Sequence, residues 1–345
     1  MRENHGSIGG LEYSIAKGWK PNMYLSNVAM AFFQEPSFYV APDIFPICPV
    51  QQSTGQYYIF NKAELAKDQV GRKPQFGKVA PAVFSHDEAT YKVDVDQVII
   101  GIDNIAALNY QRSGAPATID PRRAKARLCA EQMKLHLDLL FAKGFFARGV
   151  WTNEKEGKAS SPSTNEFLQW NDANADIIGQ FDDYKRDILL AGRRLPNRLT
   201  LGYNAFVGMK NHPQFLERVT GSGSTPNPAL VNEQVIATVL GIETVKVLYS
   251  TYNAANLGQT ANMQFTFNAD DALLSYAPAN PSVEEPSAGY IFTWDMLGNG
   301  AWMATDTFEG ESGTHSEFVE GIMASEMKKT CDDLAIYMKK CVAAA

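Results

Sequence analysis

The 345-residue sequence predicts an α+β chain with segregated elements: an extended arm, a long β-hairpin, one long helix, a compact mixed region and a strand-rich return. Three observations carry this. Tyr91 to Asp96 alternate apolar and polar residues, residues 121–146 place apolar residues at helical spacing behind an Asp-Pro start, and the chain after Ala288 is rich in aromatic strand formers. With 45% hydrophobic and 20% charged residues, the chain can bury a sizeable core in two or three lobes. A net charge of -7 counts against wrapping nucleic acid through the overall field, although local basic patches remain open. Cys48, Cys129, Cys331 and Cys341 fit no metal or redox spacing and read as reduced thiols of a cytosolic compartment. The start "MRENHGSIGGLEYSIAKGW" lacks a leader pattern, and no apolar run is long enough to span a bilayer, so no membrane partner is expected.

The arm occupies residues 1–50 and ends at "PDIFPICPV", where Pro42, Pro46 and Pro49 exclude a helix interior. Residues 51–104 form the hairpin, with "GQYYIFNK" outgoing and "FSHDEATYKVDVDQV" returning. The apolar phase moves from Tyr91, Val93 and Val95 to Val98, Ile100 and Ile102, which predicts a bulge or bend. A two-stranded ribbon is marginal in water, so its own lobe or a neighbouring subunit must cover it. The long helix spans about residues 120–148, with Asp120 as N-cap and Pro121 at the first helical position. Its predicted buried stripe is Ala124, Leu128, Leu135, Leu139 and Phe146, widened by Leu137, Leu140 and Phe141. Arg122, Arg123, Lys125 and Arg127 crowd the end where the helix dipole disfavours cations. They read either as a solvated face paired with acids or as a contact with nucleic acid or an acidic neighbouring subunit.

Further along, "TNEKEGKASSPSTNEF" reads as a polar loop and residues 181–191 as a short helix. A strand at residues 197–201 follows Pro196, a helix covers 203–211, and His212-Pro213 breaks it and starts another turn. "GSGSTPNP" is a linker, residues 232–240 a helix, 243–249 a strand, "YNAANLGQTANMQF" an exposed loop, and 272–276 a short strand. In the closing segment Val319, Ile322, Met323 and Met327 would also fit a helix, so periodicity leaves it ambiguous.

Motifs for chemistry are missing: there is no HExxH, Walker A lysine, GxSxG elbow or dinucleotide glycine fingerprint. His5, His86, His136, His212 and His315 are scattered without a second ligand at metal spacing. Asp182-Asp183 and Asp332-Asp333 are sequence neighbours whose side chains diverge, so neither pair is an acid/base dyad. A soluble enzyme with a dispersed site stays open as a function class, distinguished by a small oligomer that turns over a metabolite.

The order of elements and the residues at their joints resemble the major capsid proteins of tailed bacteriophages, which have the Hong Kong 97-like fold. "IFPICPV", the two hairpin strands and "IDPRRAKARLCAEQMKLHLDLLFAKGFF" resemble that family's lead-in, extended loop and spine helix; "QWND", "GRRLPNRLTLG" and "MKNHPQFLERV" resemble its joints. The resemblance implies a peripheral domain at residues 105–169 carrying the spine helix, an axial domain at 170–305, and peripheral return strands at 306–345, with the closing segment as sheet. It implies a structural protein, not an enzyme, that assembles as hexamers and pentamers into an icosahedral shell around double-stranded DNA. Tyr57, Tyr58, Phe60, Lys62, Lys67, Arg72, Lys73 and Lys78 would contact a neighbour through the extended loop, and Arg122 and Arg123 would face a neighbour or DNA. Trp170, Pro196, Asn197, His212 and Pro213 would be structural joints of the axial domain. Catalytic residues, metals and cofactors are not expected. The implied partners are copies of the chain, a separate scaffolding protein (no scaffolding domain precedes the arm), a portal, a decoration protein and the packaged DNA. The implied location is the virion, after assembly in the host cytoplasm. One family branch cross-links a Lys to an Asn; no Asn follows Asn299, so no such bond is expected. An encapsulin-type compartment shares the fold and is the alternative, distinguished by its contents.

Overall fold

Two sheets, bridged by one long helix, take up the apolar residues. The computed structural model describes residues 38–343 apart from 61–63, 65, 74, 80, 83–84, 106–120, 222–230, 257, 283–284 and 296–301. Helix α1 (Ala41–Ile44) and strand β1 (Ile47–Val50) fold onto the body although residues 1–50 read as an extended arm. Pro42 lies in the first turn of α1, where a missing N–H costs nothing, and Ile44 and Phe45 are fully buried. The first sheet has the order β1–β12–β14–β13 with β4 also paired to β14, where β4 is Asp94–Asp103, β12 Gly289–Trp294, β13 Met303–Glu309 and β14 Ser316–Lys329.

The ambiguous closing segment is therefore a 14-residue strand. Its residues from Val319 to Ser325 are all buried because both faces are covered. Val319 and Gly321 meet helix α2 (Pro121–Gly144), whereas Ile322 and Ala324 lie in the cluster of Tyr57, Val93 and Phe292. A strand covered on both sides reads as a continuous apolar run, which is why its period could not be told from a helix.

Helix α2 buries Leu137 and Phe141 as expected, but otherwise the side opposite the leucine stripe. Ala126, Cys129, Ala130, Met133, Leu137 and Phe141 are buried, Leu128 is 40% exposed, Leu140 is exposed, and Leu135 and Leu139 are half-buried. Small residues won because the helix lies close on the sheet: a Cβ on Gly321 would stand 3.0 Å from Met133 Cε and 3.2 Å from Cys129 Cβ. Phe146 is buried as expected, beyond the helix end. The expected bulge is absent from β4, whose pairing with β14 is unbroken from Asp94 to Asp103. The apolar phase changes because the covered face changes. Val95 packs with the hairpin cluster, while Val98, Ile100 and Ile102 pack towards α2. The chain does change partner at Val93, between β3 (His86–Lys92) and β4.

The second sheet runs β6–β5–β15–β11–β7–β8, with β5 Glu154–Lys158, β6 Glu166–Leu168, β7 Arg198–Gly202, β8 Thr244–Leu248, β11 Ala272–Ser275 and β15 Ala335–Lys339. Strands β5 and β6 lie in the segment read as a polar loop; only Gly157 is buried in β5, so no apolar alternation marked it. Parallel strands β7 and β8 are connected through α4 (Tyr203–Lys210), α5 (Pro213–Gly221) and α6 (Glu233–Leu240). Helix α3 (Ile177–Gly192) starts earlier than expected because Asp176 caps it, accepting from Gly179 N at 3.1 Å. The expected loop at 252–265 is flanked by the short pair β9 (Thr251–Asn253) and β10 (Met263–Phe265). Residues 105–169 thus place α2 on the first sheet and β5–β6 in the second, and residues 306–345 divide between the sheets as β13–β14 and β15.

A buried brace ties the segment after α2 to the second sheet. Asp271 is fully buried and accepts from Arg148 Nε and Nη2 (3.0 and 2.8 Å), the Tyr337 hydroxyl (2.8 Å) and the Lys340 N–H (2.8 Å). Four donors satisfy one carboxylate, so the charge is tolerated inside. Burial and this neighbouring carboxylate push the Tyr337 hydroxyl pKa well up.

Candidate assembly interface

The hairpin is built as a fixed base and an exposed tip. Strand β2 (Thr54–Phe60) pairs antiparallel with β3, from Thr54 opposite Lys92 to Phe60 opposite His86. Tyr91 stacks on Phe292 of the first sheet at 5.0 Å, and Tyr57 lies 5.8 Å from the same ring. The Lys92 N–H donates to Glu326 Oε2 (2.6 Å), and Lys328 Nζ donates to the Thr90 carbonyl. Tyr57 is 5% exposed and belongs to the protein's own core, so it is corrected from a neighbour contact to an anchor of the hairpin base. The side chains of Tyr58, Phe60, Arg122 and Arg123, and all of Lys62, lie outside the described residues.

Beyond the base, most described residues of the ribbon are exposed. Val70 is 89% and Phe76 97% exposed. Lys67, Arg72, Lys73 and Lys78 are exposed too, and none is held by an ion pair among the described residues. The tip is organised by its own backbone, with Ser85 N donating to Glu64 Oε2 (2.5 Å) and Val70 N to Asp68 Oδ1 (2.9 Å). The tip therefore combines large apolar side chains with several cations on one projection, a composition suited to a partner surface.

The last turn before the body is fixed by helix α2. Asp138, fully buried, accepts the Ala41 N–H at 3.0 Å and so caps α1, while its Oδ2 accepts no hydrogen bond. Burial pushes its carboxyl up to about 7 against the opposing effect of the Ala41 N–H. Phe45 meets Phe141 and Phe145 edge-on, each at 5.1 Å, and Lys246 pairs with Asp43 at 2.8 Å.

The joint residues occupy well-defined positions. Asn197 uses its amide as both donor and acceptor towards Ala277, accepting from N (3.0 Å) and donating to O (2.8 Å), while its own N–H bonds Ser275 O and its C=O takes the Thr244 N–H. Pro196 is buried beside it. His212 Nδ1 accepts from Gln214 N (3.3 Å) at the start of α5, so Nε2 carries the proton donated to Asp172 O at 3.0 Å, with Pro213 as the first helical residue. Trp170 is fully buried between Phe167 and Phe181 and donates to Gln180 Oε1 at 3.2 Å. Asp271 and Arg148 escaped sequence reasoning; the "DD" directly before the apolar run "ALLSYA" was the available signal.

Among the described residues, no group of three or more His, Cys, Asp or Glu could hold a metal, and no helix is long and apolar enough to cross a membrane. All four cysteines are free thiols, and burial pushes Cys129 up to about 11. An open hollow at the start of α3 is lined by Asp176, Asp182, Gln214, Glu217 and Arg218, but Asp176 and Gln214 are already bonded to each other at 2.9 Å.

A projecting hairpin, a long helix laid on a sheet with a 14-residue strand, and a second mixed sheet with short helices make up the Hong Kong 97-like fold seen in phage capsid proteins. Among solved structures, the chain is similar to a phage-related protein from Bordetella bronchiseptica RB50, with 16% identity and a TM-score of 0.66 over 93% of this chain and 97% of that one. It is also similar to a virus-like particle from Pyrococcus furiosus (10% identity, TM-score 0.50, 92% and 98% covered) and to a Mycobacterium phage Cain chain (10%, 0.50, 100% and 96%). At these identities the fold is what is shared. No protein-family model and no curated protein matches the sequence.

Proposed function

We propose that the protein is a major capsid protein: a shell subunit that assembles through copies of itself, as hexamers and pentamers, into an icosahedral shell around double-stranded DNA. The observation that carries this reading is the hairpin tip, whose exposed Phe76, Val70 and four cations sit on a base anchored in the protein's own sheet. Ordering an apolar projection into water is unfavourable unless a partner covers it, and a second copy supplies identical partners at equal concentration. In this reading the first sheet with α2 forms a peripheral lobe, the second sheet with α3–α6 forms an axial wedge, and Asn197 and His212 keep that wedge rigid. Lys67, Arg72, Lys73 and Lys78 contact a neighbour, while Arg122 and Arg123 face a neighbour or DNA. A compartment enclosing other cargo is the second reading, favoured by the fold shared with a virus-like particle. Negative-stain microscopy of the purified protein tests the shell, and nuclease-protected DNA inside native particles separates the two readings. A small, monodisperse oligomer under all assembly conditions would overturn both.

A further inference from the structure

A ladder of aromatic rings crosses the surface beside the second sheet and stays open along its outer side. Phe38 meets Tyr249, the residue after β8, edge-on at 5.7 Å; Tyr249 meets Tyr203, the first residue of α4, at 6.0 Å; and Tyr203 stacks on Phe265 of β10 at 5.6 Å. Met263, two residues from Phe265 and on the same face of β10, extends the row. The platform is held in place by polar contacts. The Tyr249 hydroxyl donates to Glu233 Oε1 (3.3 Å), the Asn204 N–H to the Ala269 carbonyl (2.9 Å) and the Thr266 N–H to the Ser250 carbonyl (2.9 Å). Its outer side is bare: Phe38 is 65%, Met263 63%, and Tyr203 and Phe265 each 40% exposed.

We propose that the chain's own segment preceding Phe38 straps across this ladder, with Phe32 seated on Phe265 and Met263. Residues 32–37 lie outside the described residues, and three observations select them as the occupant. The segment begins on the ladder. Phe38 is its first rung, and three residues later the Ala41 N–H is held by Asp138, so the chain meets the ladder from a fixed point. The chemistry fits: residues 21–37 include Met23, Tyr24, Leu25, Met30, Phe32 and Phe33 with one charged residue, Glu35, and the platform is aromatic with a thioether at its end. The length fits as well. Pro36 fixes its own φ and disfavours helix at Glu35, so the run into Phe38 reads as extended. Six residues reach about 19 Å as polyproline II or about 20 Å as a strand, enough to carry Phe32 along the three ring steps to Met263. Six is also a whole number of repeats for both forms, whose periods are three and two, so Phe32 faces the same side as Phe38 and Phe33 does not. The inference concerns the folded subunit and does not depend on the shell reading; it makes residues 1–31 leave the body from the β9–β10 edge.

Thiol trapping in the unassembled full chain tests this. On mild oxidation of a dilute sample, Phe32→Cys with Met263→Cys should close an intrachain disulfide at least about tenfold faster than Phe33→Cys with Met263→Cys, with the joined peptides identified by mass spectrometry. The native thiols of Cys48, Cys129 and Cys341 are buried and do not compete. Bonds formed only between chains would assign the ladder to a second copy and overturn the strap, as would no bond or equal rates from the two positions. Chymotrypsin gives a readout without introduced cysteines. Cleavage after Phe33 should be about tenfold faster once Met263→Ala with Phe265→Ala removes the far end of the seat, whose exposed side chains can be cut back without opening the core. An unchanged cleavage rate would overturn the seat.

Discussion

Asn197 holds the turn before β7 through both ends of its amide, whose separate donor and acceptor atoms meet the C=O and N–H of Ala277 at once. Asn197→Ala leaves that N–H and C=O without partners in a partly buried site and should cost about 2 kcal/mol, measured as a lower urea midpoint of the unassembled chain. Asp138 makes a pH prediction. Its carboxyl titrates at about 7 in the folded chain, against about 4 for an exposed Asp. Between those values the folded state holds a proton that the unfolded state has released, so this group's contribution to stability falls as pH rises from about 4 to about 7. Asp138→Asn should flatten that decline, read as a smaller difference in urea midpoint between pH 5 and pH 8. Equal differences in variant and wild type would show that other groups set the slope. Asn197 and His212-Pro213 were legible because turn and cap chemistry is local; Asp138 was not, because its partner at Ala41 is 97 residues away.

At the scale of elements, the hairpin strands, β7, α4 and α6 follow from local pattern, and the ends of α3 and α6 are set by caps at Asp176 and Asn232. Helix α2 has two usable stripes, and sequence centred on Leu128, Leu135 and Leu139 while including Leu137 and Phe141 of the other. The small stripe packs instead because Gly321 and its neighbours allow an approach that leucines would prevent. The hairpin separates into parts with different roles. Deleting residues 62–78 removes the tip but keeps the strands whose aromatic residues pack on Phe292. The shortened chain should melt within a few degrees of the wild type yet form no stable closed particle. Normal particles from it would remove the tip from assembly.

The described residues form a two-sheet body with a projecting hairpin, and its behaviour should depend on whether that projection is covered. Trypsin should cut the unassembled chain rapidly at Lys67, Arg72 and Lys78, and at least about tenfold more slowly in assembled particles, followed by mass spectrometry of early fragments. Equal rates in both states would mean the tip stays bare after assembly. The sequence by itself determined the α+β order, the hairpin, the long helix, the cap and turn residues and the absence of recognised catalytic motifs, because each depends on residues a few positions apart. Only the tertiary structure decided which stripe of α2 is buried, that β14 is a strand covered on both faces, that Tyr57 is core while Phe76 is bare, and that Arg148, Asp271 and Tyr337 form one brace. Those outcomes depend on what lies across a contact from distant parts of the chain, and periodicity along one segment carries no record of the surface it will meet.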